Sequence, residues 1–168
     1  MARMASLGLA GLIASTVVNA QPSTPERPDL EVVLMVDGGM TSQPHMWLLR
    51  VGFEGEVEAS GDLNPGLSAP PKKLTSSAQA RLEALIDGER FFDRPYGSIT
   101  CPPDFGGRVI SAWRGRKQRS VSFCGVEPAN IAPSDARSLL RVWYGVLTIV
   151  ANGKRVPVAD ADRHLLAK

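Results

Sequence analysis

The sequence predicts a single α+β domain: an antiparallel sheet of about five strands with two helices packed on one face. Three observations predict it. Strand-length apolar or alternating runs neighbour one another at Leu30 to Val36, Met46 to Val51 and Glu56 to Ser60, and again at Arg108 to Trp113 and Ser120 to Cys124. Two longer stretches carry helical apolar spacing with their own start and stop signals. The order of strands and helices lacks the β-α-β-α alternation that a parallel sheet demands.

The first strand, Leu30 to Val36, is a β-branched apolar run ended by Asp37-Gly38-Gly39. Met46 to Val51 is the second. A turn at Gly52-Phe53-Glu54-Gly55 leads into Glu56 to Ser60, whose alternation directs Val57 and Ala59 inward and Glu56 and Glu58 outward. Gly61 to Lys73 is rich in Pro, Gly and Ser and reads as loop.

Ser76 with Gln79 three residues on matches a capping box at the start of the first helix. Ala78, Leu82, Leu85 and Ile86 then form one apolar stripe, with Arg81, Glu83 and Asp87 off it. Gly88 weakens the last turn, Phe91-Phe92 dock the chain end into the core, and Pro95 forbids further helix. Arg108 to Trp113 and Ser120 to Cys124 flank a turn near Gly115 and Arg116, a hairpin that sets Cys124 opposite Gly107. The second helix lies within Ile131 to Ala151. Pro133 suits a first helical position, Asp135 complements the helix dipole, and Asn152-Gly153 ends it. Its β-branched and aromatic content also suits a strand, but its length and end signals favour helix. The remainder, Lys154 to Lys168, reads as a polar, loosely held tail.

The chain has 168 residues, 43% hydrophobic and 21% charged, with 19 Lys plus Arg against 17 Asp plus Glu. That balance excludes a disordered tail, a collagen-like repeat and a polytopic membrane protein. A net charge of +2 is too weak for a dedicated nucleic-acid binder.

Residues 1–20 have the layout of a secretory signal. Arg3 precedes an uncharged run, Ala5 to Val18, and Val18-Asn19-Ala20 supplies small residues for cleavage before Gln21. The alternative is a retained anchor, but 14 uncharged residues fall short of the roughly 20 that cross hydrocarbon. The expected location is therefore periplasmic or secreted, with membrane contact only through the signal before cleavage. Gln21 to Asp29, with three prolines, is a flexible leader, and residues 30–153 form the domain.

Export to an oxidising compartment makes Cys101 and Cys124 an expected disulfide, closing a loop of 23 residues and worth roughly 3 kcal/mol. A buried reduced pair and a redox pair are the alternatives; the close Cys-x-x-Cys spacing of the latter is absent.

No phosphate-binding loop, dinucleotide fingerprint, Gly-x-Ser-x-Gly elbow or His-Glu-x-x-His occurs. His45 and His164 are the only imidazoles, so no metal, cofactor or catalytic residue is expected. The alternating glutamates Glu54, Glu56 and Glu58 read as a solvated face, nothing sets them or the pair Asp160 and Asp162 across a cleft as two-carboxylate hydrolysis needs, and Asp104 reads as a loop-fixing residue. The one charge anomaly is the basic hairpin, where Arg108 and, at the tip, Arg114, Arg116, Lys117 and Arg119 occur with no acid between Asp104 and Glu127. Such a tip either meets an acidic protein face, an anionic polysaccharide or a membrane surface, or protects an edge strand from aggregation.

Gly38-Gly39, Ala80 to Ile86, Phe91-Phe92, Pro103-Asp104, the strand pair around Trp113 and Phe123, and Leu139 to Leu147 follow in an order similar to a known family. The layout resembles emfourin-type domains, bacterial inhibitors of thermolysin-like metalloproteases, over most of Leu30 to Val150. It is at least as similar to uncharacterised exported bacterial domains. The chain departs from the family in its export signal, its expected disulfide and a longer insertion around Gly61 to Lys73. The resemblance implies the fold and, by analogy, protease inhibition; it assigns no inhibitor contact to a residue here.

The expectation is an exported small binding protein whose partner is a protease or an envelope component. A small periplasmic hydrolase built around His45, and a structural envelope subunit that oligomerises through the apolar second helix, are the alternatives. The oligomeric state is left open.

Overall fold

Five strands and three helices follow one another in the order β1 (Leu30–Asp37), β2 (Met46–Val51), β3 (Val57–Gly61), α1 (Ser76–Gly88), β4 (Gly107–Arg114), β5 (Lys117–Cys124), α2 (Pro133–Val150) and α3 (Asp160–Leu166). A computed structural model describes residues 29–37, 46–61, 67, 70–96, 107–124 and 132–167. The signal and nearly all of the leader, Gly38-Gly39, His45, Cys101, Pro103 and Asp104 lie outside the described residues.

The strands form one antiparallel sheet in the order β3-β2-β1-β4-β5, with β1 central. The predicted α+β class and strand pairs hold. So does the hairpin register: Arg114 pairs Lys117 across a two-residue turn, which sets Cys124 opposite Gly107. Gly115 has φ 56° and Arg116 does not, the pattern of a type II′ turn that matches strand twist.

Alternate residues of each strand face the helices. Leu30, Val32, Leu34, Leu49, Val51, Ile110, Val121 and Phe123 are buried with Leu82 and Ile86 of α1 and the body of α2. Trp143 of α2 stands at the centre, edge-on to Trp47 at 6.2 Å and to Phe123 at 5.9 Å, geometry that aromatic quadrupoles favour. The apolar residues Leu139, Leu140, Val142, Val146, Leu147, Ile149 and Val150 are all buried in this core. The second helix therefore spends its apolar surface inside its own domain instead of presenting it to another copy.

Ala59 differs from the expectation. It pairs with Leu49 and so faces inward, but it is exposed because β3 is an edge strand beyond the helices. On the opposite face Arg50 joins β1 to β3, donating to Glu31 at 2.7 Å and to Glu58 at 3.3 Å. The bond to Glu31 foremost raises the arginine's pKa.

The first helix starts one residue earlier than the capping-box reading. Thr75 is the N-cap, its Oγ1 accepting from Ala78 N–H at 3.2 Å. Gln79 is then one position too far along to reach back. Its amide donates instead to the Glu54 carbonyl at 2.9 Å, bracing the β2–β3 turn. That placement requires glycine at position 55, where φ is 83° and a Cβ would meet the Gln79 amide at 1.9 Å.

Both long helices end in a Schellman motif. After α1, Phe91 N–H returns to Ile86 C=O and Arg90 N–H to Asp87 C=O, with Arg90 at φ 53°. After α2, Gly153 N–H returns to Thr148 C=O and Asn152 N–H to Ile149 C=O, with Asn152 at φ 55°. The first motif swings Phe91 into the core, fully buried against Phe92 and Tyr96.

The region after residue 153 is not a loose tail. Val156 is buried, α3 packs on α2, and Asp162 is 2% exposed. No described helix is long and apolar enough to cross a membrane.

Candidate functional site

Three arrangements of charged residues are set up by this fold. The first is the hairpin turn. Register puts Arg114, Lys117 and Arg119 on the helix-covered face, because each lies an even number of positions along its strand from the buried Ala112 or Val121. They meet the chain that leaves α1. Arg114 bonds Asp87 and lies 5.5 Å over the Phe92 ring; Lys117 is 3.8 Å from Asp93. Arg119 donates to the Phe92 carbonyl at 2.8 Å and lies 5.0 Å over Tyr96. Only Arg116, at the turn, is exposed without such a contact. The expected cationic tip is thus mainly an internal clasp, since the acids that neutralise it lie about 25 residues away in sequence and are no part of the local pattern.

The second arrangement is buried. Arg108 Nη1 and Tyr144 Oη both donate to Asp162 Oδ2, at 2.7 and 2.6 Å. The guanidinium is ringed by Phe123, Trp143 and Tyr144 at 5.5 to 5.9 Å, and Ala159 N–H donates to Tyr144 Oη. Burial foremost, then the bond to Asp162, raises the Tyr144 pKa. Every group has a partner, and the cluster fastens α3 to the sheet and α2. Asp162, in the stretch expected to be a loosely held polar tail, is its centre.

The third is a cleft of about 390 Å³ between the approach to α1 and the end of α2. Backbone bonds build one wall: Val57 N–H to Lys72 C=O at 2.9 Å and Leu74 N–H to Gly55 C=O at 2.8 Å hold 72–74 beside β3. The α2 Schellman turn forms the other wall and delivers Lys154 and Arg155 to the rim. Leu67, Leu74, Ile149 and Val150, all buried, make the floor. Lys73 is the third cation, 3.9 Å from Glu54. No carboxylate lines the cleft among the described residues. The volume falls in the range of small-molecule sites. No local sequence signal marks this cleft, since Lys154 and Arg155 sit in the polar stretch after Gly153 and Lys73 in the Pro-, Gly- and Ser-rich stretch before α1.

Of the two cysteines, Cys124 is buried at the end of β5 and is not a free thiol. Among the described residues no group of three His, Cys, Asp or Glu could hold a metal ion. No family model matches the chain, and no curated protein matches it.

Proposed function

We propose that the chain is an exported binding protein that holds a small ligand in the cleft between Lys73–Ala78 and the end of α2. The observation that carries this reading is the composition of the cleft: a buried aliphatic floor under three cations, with no acid in the described lining. An aliphatic floor supplies binding energy through burial, and convergent charges fix orientation. The reading includes a signal in residues 1–20 and a Cys101–Cys124 bridge, which ties the chain entering β4 to the end of β5. The register supports that bridge, because Cys124 faces Gly107, the first residue of β4. Amide chemical-shift mapping of the purified protein against small-molecule extract of a bacterial envelope tests the function. Perturbations confined to Thr75, Ala78, Val150 and Asn152 are expected. Perturbations confined elsewhere, or none, contradict it.

A protein partner is the second reading, favoured by Arg116, exposed at the β4–β5 turn. A thermolysin-like metalloprotease assay tests the inhibitor form suggested by the emfourin resemblance. Inhibition that is weakened in Arg116→Ser supports it, and absence of inhibition removes it.

A further inference from the structure

We infer that the cleft's ligand is a small anionic amphiphile: a short acyl or aryl body carrying one carboxylate-type head. The inference rests on the cleft reading above and names its ligand class. Charge decides the head. The side chains of Lys154 and Arg155 are exposed at the rim and make no hydrogen bond or ion pair with a described residue, Lys154 being tied only through its N–H to the Ala151 carbonyl, and the Lys73 side chain has a long contact to Glu54. The first turn of α1, which contributes Ala78 to the lining, contains no acid, so the helix's positive end is not neutralised there. The opposing negative end of α2 is muted, since its last carbonyls accept from Ala151, Asn152 and Gly153 N–H.

The floor decides the body. Leu74, Ile149 and Val150 offer aliphatic contact, while the described lining has no aromatic ring on which a nucleobase or sugar would stack. Thr75 and Asn152 are its only uncharged polar side chains, and the Thr75 hydroxyl already accepts from Ala78. A polyhydroxylated ligand would leave most of its groups unpaired. At about 390 Å³ the cleft takes a short chain and not a folded partner.

The test titrates the full protein with octanoate, octylammonium, octyl glucoside and acetate, followed by amide shift mapping. Octanoate should bind saturably and move Thr75, Ala78, Val150 and Asn152. The double variant Lys154→Gln, Arg155→Gln should weaken it about tenfold, as two rim charges warrant, with the thermal midpoint unchanged. Octylammonium and acetate should bind far more weakly. Equal binding of octylammonium, or an undiminished double variant, overturns the anionic class. If octyl glucoside alone maps to the cleft, the anionic class falls while the cleft reading stands. Shifts confined to the neighbouring groove of Val158, Arg163 and Leu166, or no response to any probe, overturn both.

Discussion

Arg108 of β4 donates to Asp162 of α3 at 2.7 Å across 54 positions of sequence, with side chains 15% and 3% exposed. This ion pair, with Tyr144 on the same carboxylate oxygen, makes the last helix part of the domain. Its neighbours are rings: Phe123, Trp143 and Tyr144 surround the guanidinium.

Breaking such a pair from one side strands a charge where water is scarce. Asp162→Ala should cost about 3 kcal/mol in denaturant unfolding, and Arg108→Met with Asp162→Leu should recover much of it. A single variant within 1 kcal/mol of the parent would show that α3 is held by its apolar residues alone.

Tyr144 and Tyr96 give the fold an alkaline limit. Burial is the first cause in both of a pKa raised above the ordinary 10.0; Asp162 adds to it at Tyr144, and Ser138 opposes it at Tyr96. Raised folded-state values favour the neutral phenols. Their contribution is therefore complete below pH 10 and lost as pH climbs through the raised values. Denaturation midpoints should fall above about pH 10, and Tyr144→Phe should flatten that fall. Identical slopes in parent and variant would remove Tyr144 as a cause.

The hairpin clasp predicts a contrast among neighbouring cations. Arg114→Ala and Arg119→Ala each lose an aromatic contact and a hydrogen bond. Each should cost about 1 kcal/mol, while Arg116→Ser should stay within about 0.5 kcal/mol. A uniform response across the three would contradict the assignment of Arg114 and Arg119 to an internal role.

Arg90 occupies the left-handed position after α1, which glycine adopts without a Cβ penalty, and its side chain is exposed. Arg90→Gly should raise stability by about 1 kcal/mol, read as a higher unfolding midpoint. A lower midpoint would mean that the guanidinium does more than cover the chain exit.

Local signals explain what the sequence revealed. Gly115 between two strand-like runs located the hairpin turn and so the Gly107–Cys124 register. Pro133 and Asn152-Gly153 delimited α2. The capping box misled because Thr75 and Ser76 are both good caps, and choosing between them depends on where Gln79 finds a partner, the Glu54 carbonyl on another turn. What remained hidden depends on distant pairing. Asp160–Leu166 is a short polar segment with no periodicity of its own, and only Arg108 and Tyr144 give its buried aspartate a reason. The four turn cations look unneutralised until Asp87 and Asp93 arrive from the α1 exit. The cleft likewise joins residues near 73 and 154 that no motif connects.

Export is the premise beneath both the binding proposal and the bridge, and the intact mass of the polypeptide recovered from periplasm or medium tests it most directly. The expected product begins at Gln21, lacks two hydrogens relative to the reduced chain, and takes up alkylating reagent only after reduction. Recovery of a chain beginning at Met1, confined to the cytosol and alkylated at both Cys101 and Cys124 without reduction, would contradict it.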